Sequence, residues 1–239
     1  MPGATGTLTY EVTADRATGD TSSSKILVGS PELAVGKVPD RTGLKPGSRV
    51  EVPIVVRNTG DVATERIDLR LTGTHGLTVA DKPGNCRFGE EYDDSPWISC
   101  TLKTELGPGE TAELNAPFGF TLGKDAMAPW VDFEATAVPA GDPEDPNGDP
   151  GTGSPVAFED ASGGDFEKGG ESSVTFGAVN HADFAAKGGA IAPDKKDATK
   201  GRLSFGLVNH GPGAAYRKDG KPLAYADITL PRASPATTT

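Results

Sequence analysis

Apolar and polar residues alternate along residues 49–58 (RVEVPIVVRN): Val50, Val52, Ile54 and Val56 fall on one side of an extended chain, and Arg49, Glu51 and Arg57 on the other. A period of two is the mark of a strand with one face buried and one face wet. Ile67, Leu69 and Leu71 share a face in the same way, while Arg66, Asp68 and Arg70 point to water. Further short runs lie at 31–38, 77–79, 86–88 and 97–102, and Leu114, Phe118, Phe120 and Leu122 fill one more strand. Val131, Phe133, Ala135 and Ala137 form the last strand of this group. Turn signals separate the runs, among them Lys45-Pro46-Gly47-Ser48, set for a type II bend, and Gly107-Pro108-Gly109-Glu110. About seven to nine short strands, roughly 8–12 residues apart, predict an antiparallel β-sandwich of immunoglobulin-like layout over residues 31–139.

The pattern also repeats. Val55-Val56-Arg57-Asn58-Thr59-Gly60 returns as Leu207-Val208-Asn209-His210-Gly211, a strand-like run ending in Asn-X-Gly. Residues 202–209 and 225–230 repeat the pattern of 49–58 and 67–71, and Phe176-Gly177-Ala178-Val179-Asn180-His181 echoes Phe205-Gly206-Leu207-Val208-Asn209-His210. Tyr10-Glu11-Val12-Thr13-Ala14 matches Phe133-Glu134-Ala135-Thr136-Ala137, and Ser30-Pro31 matches Ser154-Pro155. Recurrence on this scale predicts stacked modules. Four regions follow: residues 1–30, the final strand of a preceding module plus a polar linker over 15–24; residues 31–139, a complete sandwich; residues 140–154, an acidic linker; and residues 155–239, a second, incomplete module with a Thr-rich tail. The expected fold class is all-β, with tandem immunoglobulin-like sandwiches joined by Pro/Gly/Asp-rich linkers. The N-terminal strand is expected to fill an edge left open in the incomplete module, within or between chains.

Composition narrows the setting. The 239 residues carry 32 Gly and 20 Pro, too many breakers for much helix, and a formal charge of -11. An acidic surface repels phosphate backbones and anionic lipid, so nucleic acid is not an expected partner. No apolar stretch approaches the ~20 residues of a membrane span, and no signal peptide is visible at the N-terminus. Cys86 and Cys100 have no third Cys or His nearby, so they read as a disulfide within one sandwich in an exported chain. Two reduced, buried thiols are the alternative.

Candidate chemistry is sparse. The Asn-X-Gly turns are explained locally, since Asn tolerates left-handed backbone and its side chain bonds the chain two residues on. His75, His181 and His210 have no metal-ligand spacing; His181 and His210 would share a metal only if their echo segments adjoin. Asp142, Asp145, Asn147 and Asp149 alternate oxygen donors as calcium loops do, but Pro150 stands where such a loop wants Gly. A solvated acidic linker is the simpler reading, as a hairpin tip is for residues 90–94. There is no Gly-X-Ser-X-Gly elbow and no phosphate loop. The expectation is therefore no catalytic, cofactor or metal residues. A platform of Trp97, Trp130 and Tyr92 would instead stack on sugar.

The strand ending Arg57-Asn58-Thr59-Gly60, the Cys86/Cys100 pair followed by Thr101-Leu102, and Leu106-Gly107-Pro108-Gly109-Glu110 resemble the repeat domains of bacterial surface proteins. The similar families are conserved-repeat modules of unknown function and cell-adhesion-related (CARDB-type) modules of high-GC Gram-positive bacteria. Asn209-His210-Gly211-Pro212 resembles the Asn-X-Gly-Pro form frequent there. The resemblance implies a non-catalytic extracellular or wall-associated repeat that spaces or displays a partner, such as another surface protein or cell-wall glycan. A carbohydrate-binding accessory module of a secreted hydrolase is the alternative.

Overall fold

The computed structural model describes residues 4–13, 15, 19–91, 94–138, 147–193, 195–197, 201–214 and 227, and all regular structure among them is extended strand. Two strands, β1 (Ala4–Val12) and β2 (Asp20–Val28), form a hairpin of their own. Then follow β3 (Leu33–Val35), β4 (Arg41–Leu44), β5 (Arg49–Val52), β6 (Val55–Asn58), β7 (Arg66–Gly73) and β8 (Leu77–Val79). Next come β9 (Cys86–Glu90), β10 (Pro96–Lys103), β11 (Thr111–Leu114), β12 (Phe118–Leu122) and β13 (Trp130–Val138). The remainder are β14 (Asp149–Pro150), β15 (Phe158–Ala161), β16 (Glu171–Ala178), β17 (Phe184–Pro193) and β18 (Gly201–Asn209).

The fold is all-β and sandwich-like. One layer is a seven-stranded sheet in the order β14-β9-β10-β7-β13-β16-β4. The other is two smaller sheets, β15-β11-β6-β3 and β5-β12-β8, joined by the chain itself where β5 runs into β6 and β11 into β12. Periodicity predicts a single strand over 49–58 and another over 114–122, but each breaks in two. The breaks fall at Pro53 and at 115–117, which ends in Pro117. A proline supplies no N–H to a ladder, so pairing stops there and the chain crosses from one sheet to its neighbour. Val52, Val56, Phe118 and Phe120 from this layer meet Leu69, Leu71, Ile98, Phe133 and Phe176 from the other in one buried cluster. Each such side chain contributes roughly 1.5–3 kcal/mol relative to exposure. At residues 45–48 Gly47 has φ +84° and the Ser48 N–H donates to Lys45 O at 3.0 Å, the type II bend expected there.

Strand pairing redraws the regions expected from sequence. A second unit starting at 155 would leave residues 31–139 as a closed sandwich, yet β15 pairs with β11 and β16 pairs with β13 along most of its length. Val174 and Phe176 alternate inward and are fully buried, so β16 joins the seven-stranded sheet because its apolar face is part of that core. Of the expected acidic linker over 140–154, residues 140–146 lie outside the described residues, but the stretch after them is docked rather than loose. β14 pairs with β9, and Asn85 exchanges hydrogen bonds with the Val156 backbone in both directions at 2.8 and 3.0 Å. Of the polar segment expected as a linker over 15–24, residues 20–24 belong to strand β2, whose Ser and Thr face β1 across a full ladder, and residues 16–18 lie outside the described residues. Ser30-Pro31 and Ser154-Pro155 are not equivalent either: the first leads into β3, the second into β15. The strand expected at 225–230 and the Thr-rich tail lie outside the described residues, apart from Asp227.

Candidate functional site

The two Asn-X-Gly turns organise the points where the outer hairpins join the sandwich. Asn58 ends β6 and is fully buried. Its amide donates to Val62 O at 2.7 Å and Leu106 O at 2.8 Å, and its Oδ1 accepts from the Gly60 N–H at 2.9 Å. The neighbouring Thr64 hydroxyl donates to Thr104 O at 2.7 Å and accepts from the Leu106 N–H at 3.0 Å. A buried amide with its bonds made fixes the turn; left unmade, each would cost about 1–3 kcal/mol. Residues 29–32, which connect β2 to β3, lie against this turn, with Thr59 N–H donating to Glu32 O at 2.7 Å. A Cβ on Gly60 would fall 2.3 Å from Ser30 O, so only glycine permits the approach.

Asn209 ends β18 and makes the same turn. Its amide donates to Gly213 O at 2.7 Å and its Oδ1 accepts from Gly211 N–H at 3.0 Å. The His210 N–H donates to Asp183 O at 2.7 Å, and a Cβ on Gly211 would meet His181 O at 2.6 Å. Residues 180–183, which connect β16 to β17, thus lie on the second turn as residues 29–32 lie on the first. The third asparagine, Asn180, ties this connection to the sandwich by donating to Lys124 O at 3.0 Å and Ala126 O at 2.9 Å. The two joints sit at opposite ends of the strands. The Asn58 turn lies with Leu106 and Thr64, at the Arg66 end of β7, and the Asn180 joint lies with 124–127, at its Gly73 end.

The other candidates are scattered. Cys86 and Cys100 form a disulfide between directly opposed positions of β9 and β10, on the core side of the sheet. His75 Nε2 lies 3.1 Å from Asp125 Oδ2. The backbones around His181 and His210 do adjoin, yet no group of three or more His, Cys, Asp or Glu gathers for a metal ion among the described residues. Trp130 is buried and its indole N–H donates to Asp132 at 2.9 Å. Trp97 is half-buried, its ring pressed on Gly89 and Gly148, where an added Cβ would lie 2.4 Å away in each case. Trp130 is therefore not displayed for stacking, Trp97 is partly covered, and Tyr92, Asp93, Asp142 and Asp145 lie outside the described residues.

The outer face of the seven-stranded sheet carries an open groove of about 800 Å³ lined by Arg70, Asp132, Glu134, Lys168 and Glu171 among others. Arg70 pairs with Glu91 at 3.7 Å, and Glu134 stands directly opposite Glu171 across β13 and β16. A second charged surface was not foreseen from sequence. Arg49 grips Asp81 with both terminal nitrogens and lies 3.5 Å from Glu51, and the hydrogen bond to Asp81 raises the guanidinium further above its usual range. Gly119 lies beneath this pair, and a Cβ there would collide with it. A glycine inside a strand, between Phe118 and Phe120, was the available signal for such an approach.

No protein-family model and no curated protein matches this chain. Among solved structures, the chain is similar to one described as "AvmM Catalyzes Macrocyclization in Alchivemycin A Biosynthesis", at 14% identity over 62% of this chain and 88% of that one. The TM-score is 0.34, and at that value the likeness carries no argument about fold or activity.

Proposed function

We propose that this chain is a non-catalytic, extracellular or wall-associated run of immunoglobulin-like repeats that sets spacing and presents a partner, such as a surface protein or cell-wall glycan. The observation that carries this reading is the recurrence of one joint. Asn58 and Asn209 stand 151 positions apart, as do Leu33 and Phe184, and the ladders coincide: Leu33 pairs with Asn58 as Phe184 pairs with Asn209. The turn bonds, the glycine approach and the incoming connection are reproduced at the same separation. Conserving a joint at this level of detail serves geometry: it holds each unit at a set angle to the one before it. The Cys86–Cys100 disulfide suits an oxidising compartment.

The mechanism is mechanical. A connection clamped on both sides by backbone hydrogen bonds transmits orientation, where a free Gly/Ser linker would not. The test is a distance distribution between spin labels on the exposed faces of β18 and β10, measured at dilution on the full chain. A narrow distribution that broadens with Asn209→Ala is expected. A broad distribution in the unaltered chain would overturn the spacer reading, as would its absence from the cell surface under protease shaving of the native host.

A further inference from the structure

We infer that copies of this chain associate head to tail, the β1–β2 hairpin of one packing on the β17–β18 hairpin of the next as β13–β16 packs on β3–β6 inside the sandwich. The inference deepens the repeat reading above, and its test is separate from the test given there.

Each outer hairpin duplicates one half of a buried contact. In β13–β16, Phe133 stands opposite Ser172, Val131 opposite Val174 and Glu134 opposite Glu171. In β1–β2, Tyr10 stands opposite Ser22, Leu8 opposite Ser24 and Glu11 opposite Thr21. The sequence echo of Tyr10-Glu11-Val12 with Phe133-Glu134-Ala135 thus lies in the same ladder position. At the other end β17–β18 keeps the register of β3–β6, which sets Phe184 at the place of Leu33, Ala186 at Val35 and Leu207 at Val56, and the same 151-residue offset in sequence sets Phe205 at Ile54. Inside the sandwich both β13 and β16 pack on β3, and Val131, Phe133, Val35, Ile54 and Val56 belong to one core.

Burial is inverted between the two sets. Val131, Phe133, Ile54 and Val56 are 0%, 2%, 1% and 0% exposed, while Leu8, Tyr10, Phe205 and Leu207 are 53%, 51%, 57% and 48% exposed. The opposite face of β1–β2 is more polar, with Thr5, Thr7, Thr9 and Ser23 beside Leu27, and that of β17–β18 carries Lys187 beside Ala185 and Val208. Each hairpin is therefore amphipathic in the sense of a sandwich layer with its second layer uncovered. The complement of each face is the other face, because that is how their counterparts meet in this chain. Among the described residues β1 pairs only with β2, where its counterpart β13 is also paired with β7.

The occupant is a second copy because the two joints sit at opposite ends of the sandwich. A hairpin at each end, carrying unlike and complementary surfaces, makes a heterologous contact that repeats instead of closing. Folding both hairpins onto each other within one chain would require releasing the Asn180 clamp or the 29–32 connection.

The test is sedimentation velocity of the full chain across a concentration series, with Tyr10→Glu and Phe205→Glu variants. Both residues are exposed in the single chain, so each variant keeps the melting temperature of the sandwich when monomeric. The unaltered chain is expected to grow in mean mass with concentration beyond the dimer, and each variant alone to stay at monomer mass. Mixed in equal amounts, the two variants are expected to form a dimer and stop, because each retains the face the other has lost. A monomeric unaltered chain at every concentration would overturn the proposal. So would association blocked by Tyr10→Glu but untouched by Phe205→Glu, which signifies like-with-like pairing. The spin-label distances at dilution are unaffected by either result, so a failure here leaves the spacer reading standing.

Discussion

The β13–β16 pair in the sandwich and the β1–β2 hairpin outside it share a ladder and much of a sequence pattern, yet one is sealed in a core and the other stands in solvent. Local pairing is evidently fixed by alternation and register, and burial by which other strands surround the pair. A two-stranded hairpin alone is marginal in water, so the free energy of this fold resides in the contact between layers. β1–β2 and β17–β18 are then low-stability elements hung from a stable body, poised to gain from any surface that covers them.

The strongest test of that contrast is truncation at matched sites. Phe120→Ala, in the centre of the core, is expected to lower unfolding free energy by about 3–5 kcal/mol in denaturant titration. Tyr10→Ala and Phe205→Ala, measured where the chain is monomeric, should change it by no more than about 0.5 kcal/mol. Comparable losses at the three sites would erase the distinction between sealed and bare pairs. Next in size is the disulfide, which closes the β9–β10 hairpin between its two opposed cysteines. Replacing both by Ser should cost ~3 kcal/mol, the chain-entropy value for a loop of about this length. Hydrogen exchange in β1–β2 and β17–β18 should not change, since neither hairpin pairs with β9 or β10.

Much of the sandwich was legible in its residues. The alternation at 67–71 and 131–137, the bends at Gly47 and Gly109 and the cysteine pair all stand where the pattern places them. What failed was the reading of range. β15, β16 and β14 join strands tens of residues upstream, and nothing local in the SSVTF run names β13 as its neighbour. The acidic stretch looked unanchored because its anchors are a side chain, Asn85, and backbone carbonyls around Pro83, which carry no apolar signal. The Asn-X-Gly motif was seen, and its turn chemistry was recognised. Its second partner, the connection that only Gly60 or Gly211 lets approach, is a tertiary fact. The Ser30-Pro31 echo misled because two residues of turn chemistry recur for unrelated reasons.

The joints sharpen the comparison further. Asn58→Ala strands Val62 O and Leu106 O inside the protein and should cost about 1–3 kcal/mol. Asn209→Ala removes the bond to Gly213 O and the Oδ1 that accepts from the Asp183 and Gly211 N–H groups, but at an exposed position, and should leave global unfolding almost unmoved, while exchange at His210 and Gly211 quickens. If both substitutions lowered global stability alike, β17–β18 would have to be part of the cooperative core, and the two regions would cease to differ in kind.

The smallest effect concerns what covers the edge of β3. Residues 165–169 run beside it, with Lys37 N–H donating to Asp165 O at 2.8 Å and Glu167 N–H to Val35 O at 2.9 Å, while the Lys37 ammonium meets Asp165 Oδ2 at 3.1 Å. The hydrogen bond and the charge of Asp165 raise the Lys37 pKa above its ordinary 10.5. A raised value means the contribution is complete below pH 10.5 and is lost as pH climbs through the folded value, so it is constant at neutrality and fails only in alkali. Both partners are exposed, and salt screens the pair. Lys37→Ala should therefore leave the melting temperature nearly unchanged but speed exchange at Val35 and Glu167 in low salt, and that difference should vanish in molar salt or above the lysine's titration. Persistence of the difference in both conditions would show that the backbone ladder alone holds this strap. The charge would then be incidental to why β3 has a covered edge.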